Sequence, residues 1–218
     1  MRRMHHSSVL DDSNGILVAD ASVVISMAVC ASAAQIIEAI PNRIIVPDEV
    51  VLELEIGKSK GYASAEQLCR FIENGLMEVV TMGVVAKTHF EELTVGPAKN
   101  TLGSGEAAAI ACALETGGIP LIDEGKARRI CGERHPNISY GCIVDIFAHH
   151  EVGKALGKED LKLSVLSALQ QSRMRVPREY QEWVVNLIGH ENAAECKSLP
   201  GSVRQQAKAK LNLVKPRT

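Results

Sequence analysis

LGSGEAAAIACALETGGIPLIDEGKARR, residues 102–129, is the stretch around which the chain is organised. It begins with a Gly-Ser-Gly turn, after which Glu106 stands in the first turn of an alanine-rich segment, where the helix dipole favours an acid. Two glycines end that helix, the apolar run Ile119–Ile122 predicts a buried strand, and Asp123 follows the strand. One acid therefore opens a helix and another closes a strand, an arrangement that suits a shared cation once the pair folds back on itself.

Two further acids point to the same place. The apolar run Ile16–Ala19 predicts the first strand, and Asp20 follows it directly. Ligands of open α/β sheets bind outside the carboxyl ends of the strands, although capping of the next helix is an alternative role for this aspartate. Glu53 lies on a predicted helix, one residue from the apolar Leu54, so its side chain is able to lean toward the sheet edge.

Apolar runs alternate with helical segments along most of the chain, which predicts an α/β fold: a parallel sheet with helices on both faces, in three layers. Five strands are predicted, at residues 16–19, 43–46, 76–82, 119–122 and 138–140. The intervening helices are predicted at residues 23–39, 47–60, 63–73, 84–93, 105–116, 126–133 and 143–152.

The predicted organisation has four parts. Residues 1–14 form a flexible N-terminus, and residues 15–153 form the α/β domain. Residues 154–192 form a helical extension packed on that domain, with helices at 158–171 and 177–189. Residues 193–218 form a basic tail with a weak helical pattern at 203–211, which the composition leaves open as a disordered segment.

Composition narrows the function classes. Apolar residues make up 46% and charged residues 23%, as expected of a folded protein, whereas 3% aromatics argue against a surface that stacks many bases. After Glu195 the chain carries six Lys and Arg and no acid. Because the whole chain carries −2, residues 1–196 carry −8, so an acidic body is joined to a basic tail.

The cysteines and the N-terminus indicate a cytoplasmic protein. The six cysteines are widely spaced and form no Cys/His cluster, which favours reduced core thiols over zinc ligands. The first thirty residues imitate a signal peptide, but Asp11, Asp12 and Asp20 interrupt the part that should be apolar. The chain has no uninterrupted apolar run of about 18 residues, the length that a membrane-spanning helix needs, so no membrane span is predicted.

The four acids predict a hard-metal site. Carboxylates without His or Cys suit Mg²⁺ or Mn²⁺ rather than Zn²⁺, and a cluster of such charges is costly unless cations neutralise it. Metal-assisted phosphodiester hydrolysis is the reaction that this donor set fits best. The chain has no GxxxxGK[ST] phosphate loop, no GxSxG elbow and no GxGxxG fingerprint after its first strand.

The succession ILVADASVVI, VPDEVVLEL, LGSGEAAAIACALE and IPLIDEGKARRI resembles the PIN-domain proteins of the VapC-like kind. It is most similar to a prokaryotic branch that carries extra C-terminal helices. The resemblance covers residues 15–153, and the helices to about residue 190 fit that branch. It implies a five-stranded parallel sheet, an acidic pocket that holds Mg²⁺ or Mn²⁺, and metal-dependent endoribonuclease activity.

Carried over residue by residue, the resemblance assigns the catalytic acids. It implies a metal site formed by three of them, with Ser22 as a small hydroxyl beside the first acid. The four catalytic acids are Asp20, Glu53, Glu106 and Asp123, and the three metal ligands are Asp20, Glu106 and Asp123.

Three positions depart from the family pattern or extend it. Glu124 stands where many relatives have a second Asp, and Cys142 stands where relatives often have Thr. Asp145, one turn later, is a secondary candidate for the missing polar group, with helix capping as the equal alternative. Glu124 and Ser22 are the other secondary candidates.

Basic residues follow Asp123, and they bear on the expected substrate. Lys126, Arg128 and Arg129 are candidate phosphate contacts, and a solvated helix face is the other interpretation. The expected substrate is RNA; a small antitoxin protein and a homodimer stay open as partners. Two function classes stay open as well: a metal-dependent ribonuclease, either a toxin or a processing enzyme, and a catalytically idle PIN-fold module that binds nucleic acid or protein.

Overall fold

A computed structural model describes residue 10, residues 15–59 and residues 63–214. The flexible N-terminus predicted for residues 1–14 therefore lies, apart from Leu10, outside the described residues. The last residue of the helix predicted at 47–60 and the final four residues of the basic tail also lie outside them.

The centre of the fold is a parallel sheet whose strand order is β3-β2-β1-β4. Its strands are β1 (Ile16–Ala19), β2 (Arg43–Pro47), β3 (Glu78–Val80) and β4 (Ile119–Leu121). Leu17, in the middle of the sheet, lies opposite Ile44 on one side and Ile119 on the other. The α/β class and the parallel sheet are confirmed.

The prediction of a fifth strand at 138–140 is wrong: the described residues form four strands. This part of the chain makes only an isolated parallel bridge, between Gly141 and Leu121. The N–H of Ile138 is engaged in a turn, with the carbonyl of His135 at 3.2 Å, and Cys142 already caps the next helix. Between that turn and that cap, Gly141 is the residue that pairs with the sheet.

Most of the rest of the described chain is helical. They are α1 (Ala21–Ala28), α2 (Ala33–Ala39), α3 (Asp48–Lys58), α4 (Ser64–Glu73), α5 (Val84–Thr94), α6 (Ser104–Thr116), α7 (Gly125–Arg134), α8 (Ile143–Ala148), α9 (His150–Gln171), α10 (Gln181–Glu195) and α11 (Gly201–Val214), with short 3-10 helices at Ala98–Asn100 and Arg178–Tyr180.

Two helices differ from the sequence-based expectation. The helix predicted at 23–39 is two helices, because the chain turns after Val29, where the N–H of Cys30 bonds to the carbonyl of Met27 at 3.0 Å. Helix α9 joins parts of two predicted helices across a kink at Gly157, whose φ of 71° lies in the left-handed region that glycine tolerates.

The helical extension shares the core of the α/β domain. Val165 of α9 and Val184 of α10 are fully buried in the same apolar cluster as Leu17 of the sheet and Val24 of α1. Burying a side chain of this size contributes about 1.5–3 kcal/mol. The other face of the sheet is covered by α5 and α6, whose small residues allow close packing.

The basic tail is structured over residues 201–214, where the sequence left disorder open. Helix α11 packs on α10, with Ala207 buried and Val203 and Leu211 partly buried against the core. Lys208 forms an ion pair of 3.4 Å with Glu195.

The cysteines are all free thiols, and five of the six are buried. Cys69 is exposed and departs from the expected core position. Among the described residues, no helix combines the length and the apolar character needed to cross a bilayer.

Candidate functional site

Asp20 and Asp123 lie side by side because their strands are neighbours. The N–H of Asp20 bonds to the carbonyl of Leu121 in β4 at 3.4 Å. The side chain of Asp20 caps α1: its Oδ1 accepts the N–H of Val23 at 2.9 Å and the hydroxyl of Ser22 at 2.7 Å. The capping role is therefore real, and it fixes the carboxylate at the sheet edge rather than excluding a second role.

The predicted acids line two adjoining cavities at this edge. The smaller measures about 230 Å³ and the larger about 380 Å³. Both are lined by Asp20, Ser22, Glu106 and Glu124. Asp123 lines the smaller cavity and Glu53 the larger, so all four predicted acids come together here, with Glu124 as a fifth.

The Asp20 carboxyl is held in a proton-favouring environment. Burial raises its pKa to about 7, and the charges of Asp123 and Glu53 act in the same direction. The hydrogen bonds from Val23 and Ser22 oppose this shift without cancelling it.

Glu106 lies beside Glu124 in both cavities. Burial raises the pKa of Glu106 to about 7, and the charge and hydrogen bond of Glu124 contribute to the increase. Both causes favour the protonated form of the Glu106 carboxyl. Glu106 also turns back toward the N–H of Gly103 at 3.4 Å, as a capping-box acid does.

Asp123 combines a satisfied and an unsatisfied oxygen. Its Oδ1 accepts the N–H of Ile143 at 3.0 Å, whereas its Oδ2 is buried and has no hydrogen-bond partner among the described residues. Burial raises its pKa to about 6, although Ile143, Ser22 and Arg128 lower it. The single proton of the Ser22 hydroxyl is directed at Asp20, so it does not satisfy both carboxylates.

Glu53 reaches the site across helix α6. A Cβ added at Gly105 would overlap Oε2 of Glu53, so the carboxylate rests directly on the glycine backbone. Its side chain is exposed on the open wall of the larger cavity. The absence of a side chain at position 105 is what lets Glu53 lean toward the other acids.

Asp145 occupies a structural position near the site and lines neither cavity. It accepts the N–H of Cys142 at 2.8 Å and its thiol at 3.0 Å, and it caps α8. The hydroxyl of Tyr180 also donates to it, so Asp145 ties the helical extension to the last turn of the α/β domain.

The three predicted phosphate contacts lie in different environments. Lys126 lines the larger cavity and donates to the carbonyl of Ala98 at 2.7 Å. Arg129 is exposed and paired with Glu133 at 2.6 Å. Arg128 is largely covered: it stacks on the ring of Tyr140 at 5.3 Å and pairs with Glu179 at 3.0 Å.

A set of lining residues was missed by the sequence interpretation. Residues 172–175, Ser-Arg-Met-Arg, form one wall of the smaller cavity although they are about 150 residues from Asp20 in the chain. No motif marks them, and two cations in a link between helices are an ordinary sequence feature.

The carboxylates are not arranged around a preformed metal position. In the described part of the chain, no three side chains of His, Cys, Asp or Glu are placed so that they would hold a metal ion as they stand. The acids nevertheless share two cavities, and the charges of their neighbours raise the pKa values of Asp20 and Glu106.

Comparison with known proteins identifies the class. A sequence family described as the PIN domain matches residues 16–190, which spans the sheet, the acidic cavities and most of the helical extension. The chain therefore belongs to the PIN-domain family. No curated protein and no solved structure matches it.

Proposed function

We propose that this protein is a metal-dependent endoribonuclease that hydrolyses RNA phosphodiester bonds at the acidic cavities. The observation that carries the proposal is that five carboxylates meet at the carboxyl edge of a PIN-domain sheet. Such crowding is unfavourable in the metal-free protein, since burial and mutual repulsion raise the pKa values of three of them.

The donor set fits a divalent cation that prefers oxygen ligands. Asp20, Glu106 and Asp123 would hold Mg²⁺ or Mn²⁺, and the buried Oδ2 of Asp123 is a carboxylate oxygen that still lacks a partner. Because no three acids among the described residues are placed for a metal as they stand, binding requires side-chain adjustment, and it has to overcome the raised pKa of Glu106. A bound divalent cation would activate water and stabilise the leaving oxygen.

The protein's own groups hold these carboxylates in position. The Ser22 hydroxyl and the N–H of Val23 fix Asp20, and the N–H of Ile143 fixes Asp123. Glu53, on the open side, is suited to accept a proton from water that enters the larger cavity.

The test is cleavage of single-stranded RNA in Mn²⁺. Asp20→Asn, Glu106→Gln and Asp123→Asn should each abolish cleavage while thermal unfolding shows an intact fold. Glu53→Gln should reduce cleavage strongly, and Glu55→Gln, an exposed acid two residues along the same helix, is the matched control that should have no effect. A wild-type protein that cuts no RNA in Mg²⁺ or Mn²⁺ would contradict the proposal.

The second candidate is a PIN-fold module that binds nucleic acid or protein without catalysis. It is favoured by the lack of a preformed metal position among the described residues and by the raised pKa of Glu106, which opposes metal binding by that carboxyl. RNA binding that persists in EDTA, with no cleavage in Mn²⁺, would favour this candidate.

The partners of the protein distinguish two biological roles, a toxin and a processing nuclease. A VapC-like toxin in the cytoplasm would be neutralised by a small antitoxin, whereas a processing nuclease would have none. A short neighbouring gene that encodes a protein with a DNA-binding N-terminal domain would favour the toxin. A homodimer is the other expected assembly, and sedimentation of the purified protein tests it.

A further inference from the structure

Burial and hydrogen bonds hold the start of the link between α9 and α10 in place. Met174 is buried, and its N–H bonds to the carbonyl of Ala168 at 3.1 Å. The hydroxyl of Ser172 lies 3.0 Å from that of Ser26 on α1. The helical extension therefore holds residues 172–175 against the smaller acidic cavity.

Arg173 has the only left-handed backbone among the described non-glycine residues, with φ of 57°. A position just after a helix favours glycine, because a side chain there costs about 1–2 kcal/mol. The chain uses arginine at this position, and Arg173 lines the cavity that Asp20 and Asp123 also line. A strained backbone at a cavity wall is an indication of function when the side chain has a ligand to bind.

Arg173 and Arg175 are exposed and make no ion pair or side-chain hydrogen bond with any residue that the structure describes. Other arginines near the site are engaged: Arg128 with Glu179 and Arg129 with Glu133. The two lining arginines are thus available for a ligand that enters the cavity.

We propose that Arg173 and Arg175 bind the backbone phosphates of the RNA strand and place the phosphate to be cleaved beside the acids. This inference rests on the proposed nuclease function. Guanidinium groups match phosphate in a bidentate manner, and the −8 charge of residues 1–196 makes local cations necessary for an anionic strand to approach.

The path of the strand continues beyond the acids. Arg173 also lines a neighbouring cavity of about 540 Å³, whose other charged lining residues are Lys197 and Glu195. Arg173 thus lies between the acidic cavity and a second cavity that carries Lys197. We expect a single strand to leave the acids past Arg173, since the cavity beside the acids is only about 230 Å³.

The experiment measures binding of a short fluorescent single-stranded RNA by anisotropy, in EDTA so that no cleavage occurs. Arg173→Gln combined with Arg175→Gln should weaken binding roughly tenfold and reduce the log–log salt slope by about 1.4, the value for two lost phosphate contacts on a single strand. Lys87→Gln combined with Lys158→Gln is the control: both lysines are exposed, and neither lines these cavities. Each variant keeps position 173 non-glycine, so the backbone strain is unchanged.

Cleavage assays in Mn²⁺ distinguish a role of the two arginines in positioning RNA from a role in stabilising the fold. The arginine variant should have a raised KM at low salt with thermal unfolding unchanged, whereas a structural role would lower the Tm instead and would overturn the inference. An unchanged salt slope and affinity would also overturn it, and cleavage by that variant would leave the nuclease function standing. If the wild type never cuts RNA but its affinity falls on loss of the two arginines, the nuclease proposal fails while the phosphate contact stands.

Discussion

Glu106 lies beside Glu124 in both acidic cavities, although the first stands in the opening turn of α6 and the second directly precedes α7. Both carboxyls lie near helix N-termini, where the dipoles favour negative charge, yet burial raises the pKa of Glu106 to about 7. Burial and the neighbouring Glu124 therefore favour the protonated form of Glu106, an effect that a bound cation or a rise in pH would oppose.

The first prediction concerns Glu124→Gln. The substitution removes the charge that helps to raise the pKa of Glu106, and an amide can donate to the remaining carboxylate. We expect Mn²⁺-dependent cleavage to persist and its half-maximal pH to move to lower values, measured as kcat/KM against pH. Asp123→Asn is the comparison and should be inactive at every pH. Equal loss in both variants would show that Glu124 is itself an essential ligand.

The second prediction is that the metal-free protein loses stability as pH rises. The pKa of Asp20 is raised from 3.8 to about 7 and that of Asp123 to about 6, so the folded state binds these protons more tightly than the unfolded chain. Their contribution is fully present below about pH 4 and is lost as pH rises through 6 to 7, at ~1.4 kcal/mol per unit of pKa difference. In EDTA, the Tm should be several degrees lower at pH 8 than at pH 5, given about 2–4 °C per kcal/mol.

Asp20→Asn is the control for that effect. It removes the carboxyl whose pKa is raised most, so the difference in Tm between the two pH values should shrink, and the variant should be more stable than wild type at pH 8. Mn²⁺ should raise the Tm of the wild type more at pH 8 than at pH 5, because protons compete with the metal for the same carboxylates. A wild-type Tm that is indifferent to pH, EDTA and Mn²⁺ would contradict the crowded-carboxylate interpretation.

The third prediction uses Gly105→Ala to displace one acid without removing it. The new methyl group would overlap Oε2 of Glu53, which must swing away, and the flexible side chain makes this inexpensive. Alanine is also favoured over glycine in a helix by about 0.5–1 kcal/mol, so stability should stay equal or increase. Cleavage should fall as it does in Glu53→Gln.

Gly125→Ala is the matched control for this prediction. Gly125 is the first residue of α7, next to Glu124, and an added Cβ there meets nothing within 4 Å. It should leave cleavage unchanged. Full activity in Gly105→Ala would mean that the position of the Glu53 carboxylate is immaterial to the reaction.

The elements that were predicted correctly depend on local sequence. Strand β1 follows from the apolar run Ile16–Ala19, and α6 from an alanine-rich segment closed by Gly117, whose φ of 68° only glycine adopts easily. The acids follow from the same boundaries, since Asp20 and Asp123 each come just after a strand. Propensity and turn chemistry suffice for features of this kind.

The features that were missed depend on contacts between distant segments. The apolar residues before Gly141 resemble a strand, but competing turn and cap hydrogen bonds leave a single bridge. The sequence around Arg128 is typical of an exposed helix face, yet Glu179 and the ring of Tyr140, from other parts of the chain, contact its side chain. To predict that residues 172–175 line the smaller cavity, one must know how α9 packs on α1 and α2, and the periodicity of the sequence does not show this.

The fourth prediction tests the hydrogen bond between Tyr180 and Asp145. Tyr180→Phe leaves a buried carboxylate short of one donor, which costs about 1–3 kcal/mol. The protein should unfold at lower temperature or urea concentration, with cleavage at permissive temperature retained. Tyr140→Phe is the control, since no hydrogen bond from the Tyr140 hydroxyl is formed with the described residues. Equal stability of the two variants would show that the Tyr180 hydroxyl contributes nothing.

The last prediction concerns the basic C-terminal helix. Ala207 is buried against α10, and Val203 and Leu211 cover neighbouring apolar surface, so deletion of residues 201–218 should lower the Tm rather than simply remove charge.

The charge of this helix is tested separately with Lys208→Gln combined with Lys210→Gln. Neither lysine lines a cavity that contains the acids, and Lys208 already pairs with Glu195 at 3.4 Å. We expect this variant to keep the Tm and to bind single-stranded RNA within about twofold of wild type, because few phosphate contacts are lost. A marked fall in its salt slope, equal to that of the Arg173 and Arg175 variant, would show that α11 is a principal RNA-binding element and that the strand path extends to the end of the chain.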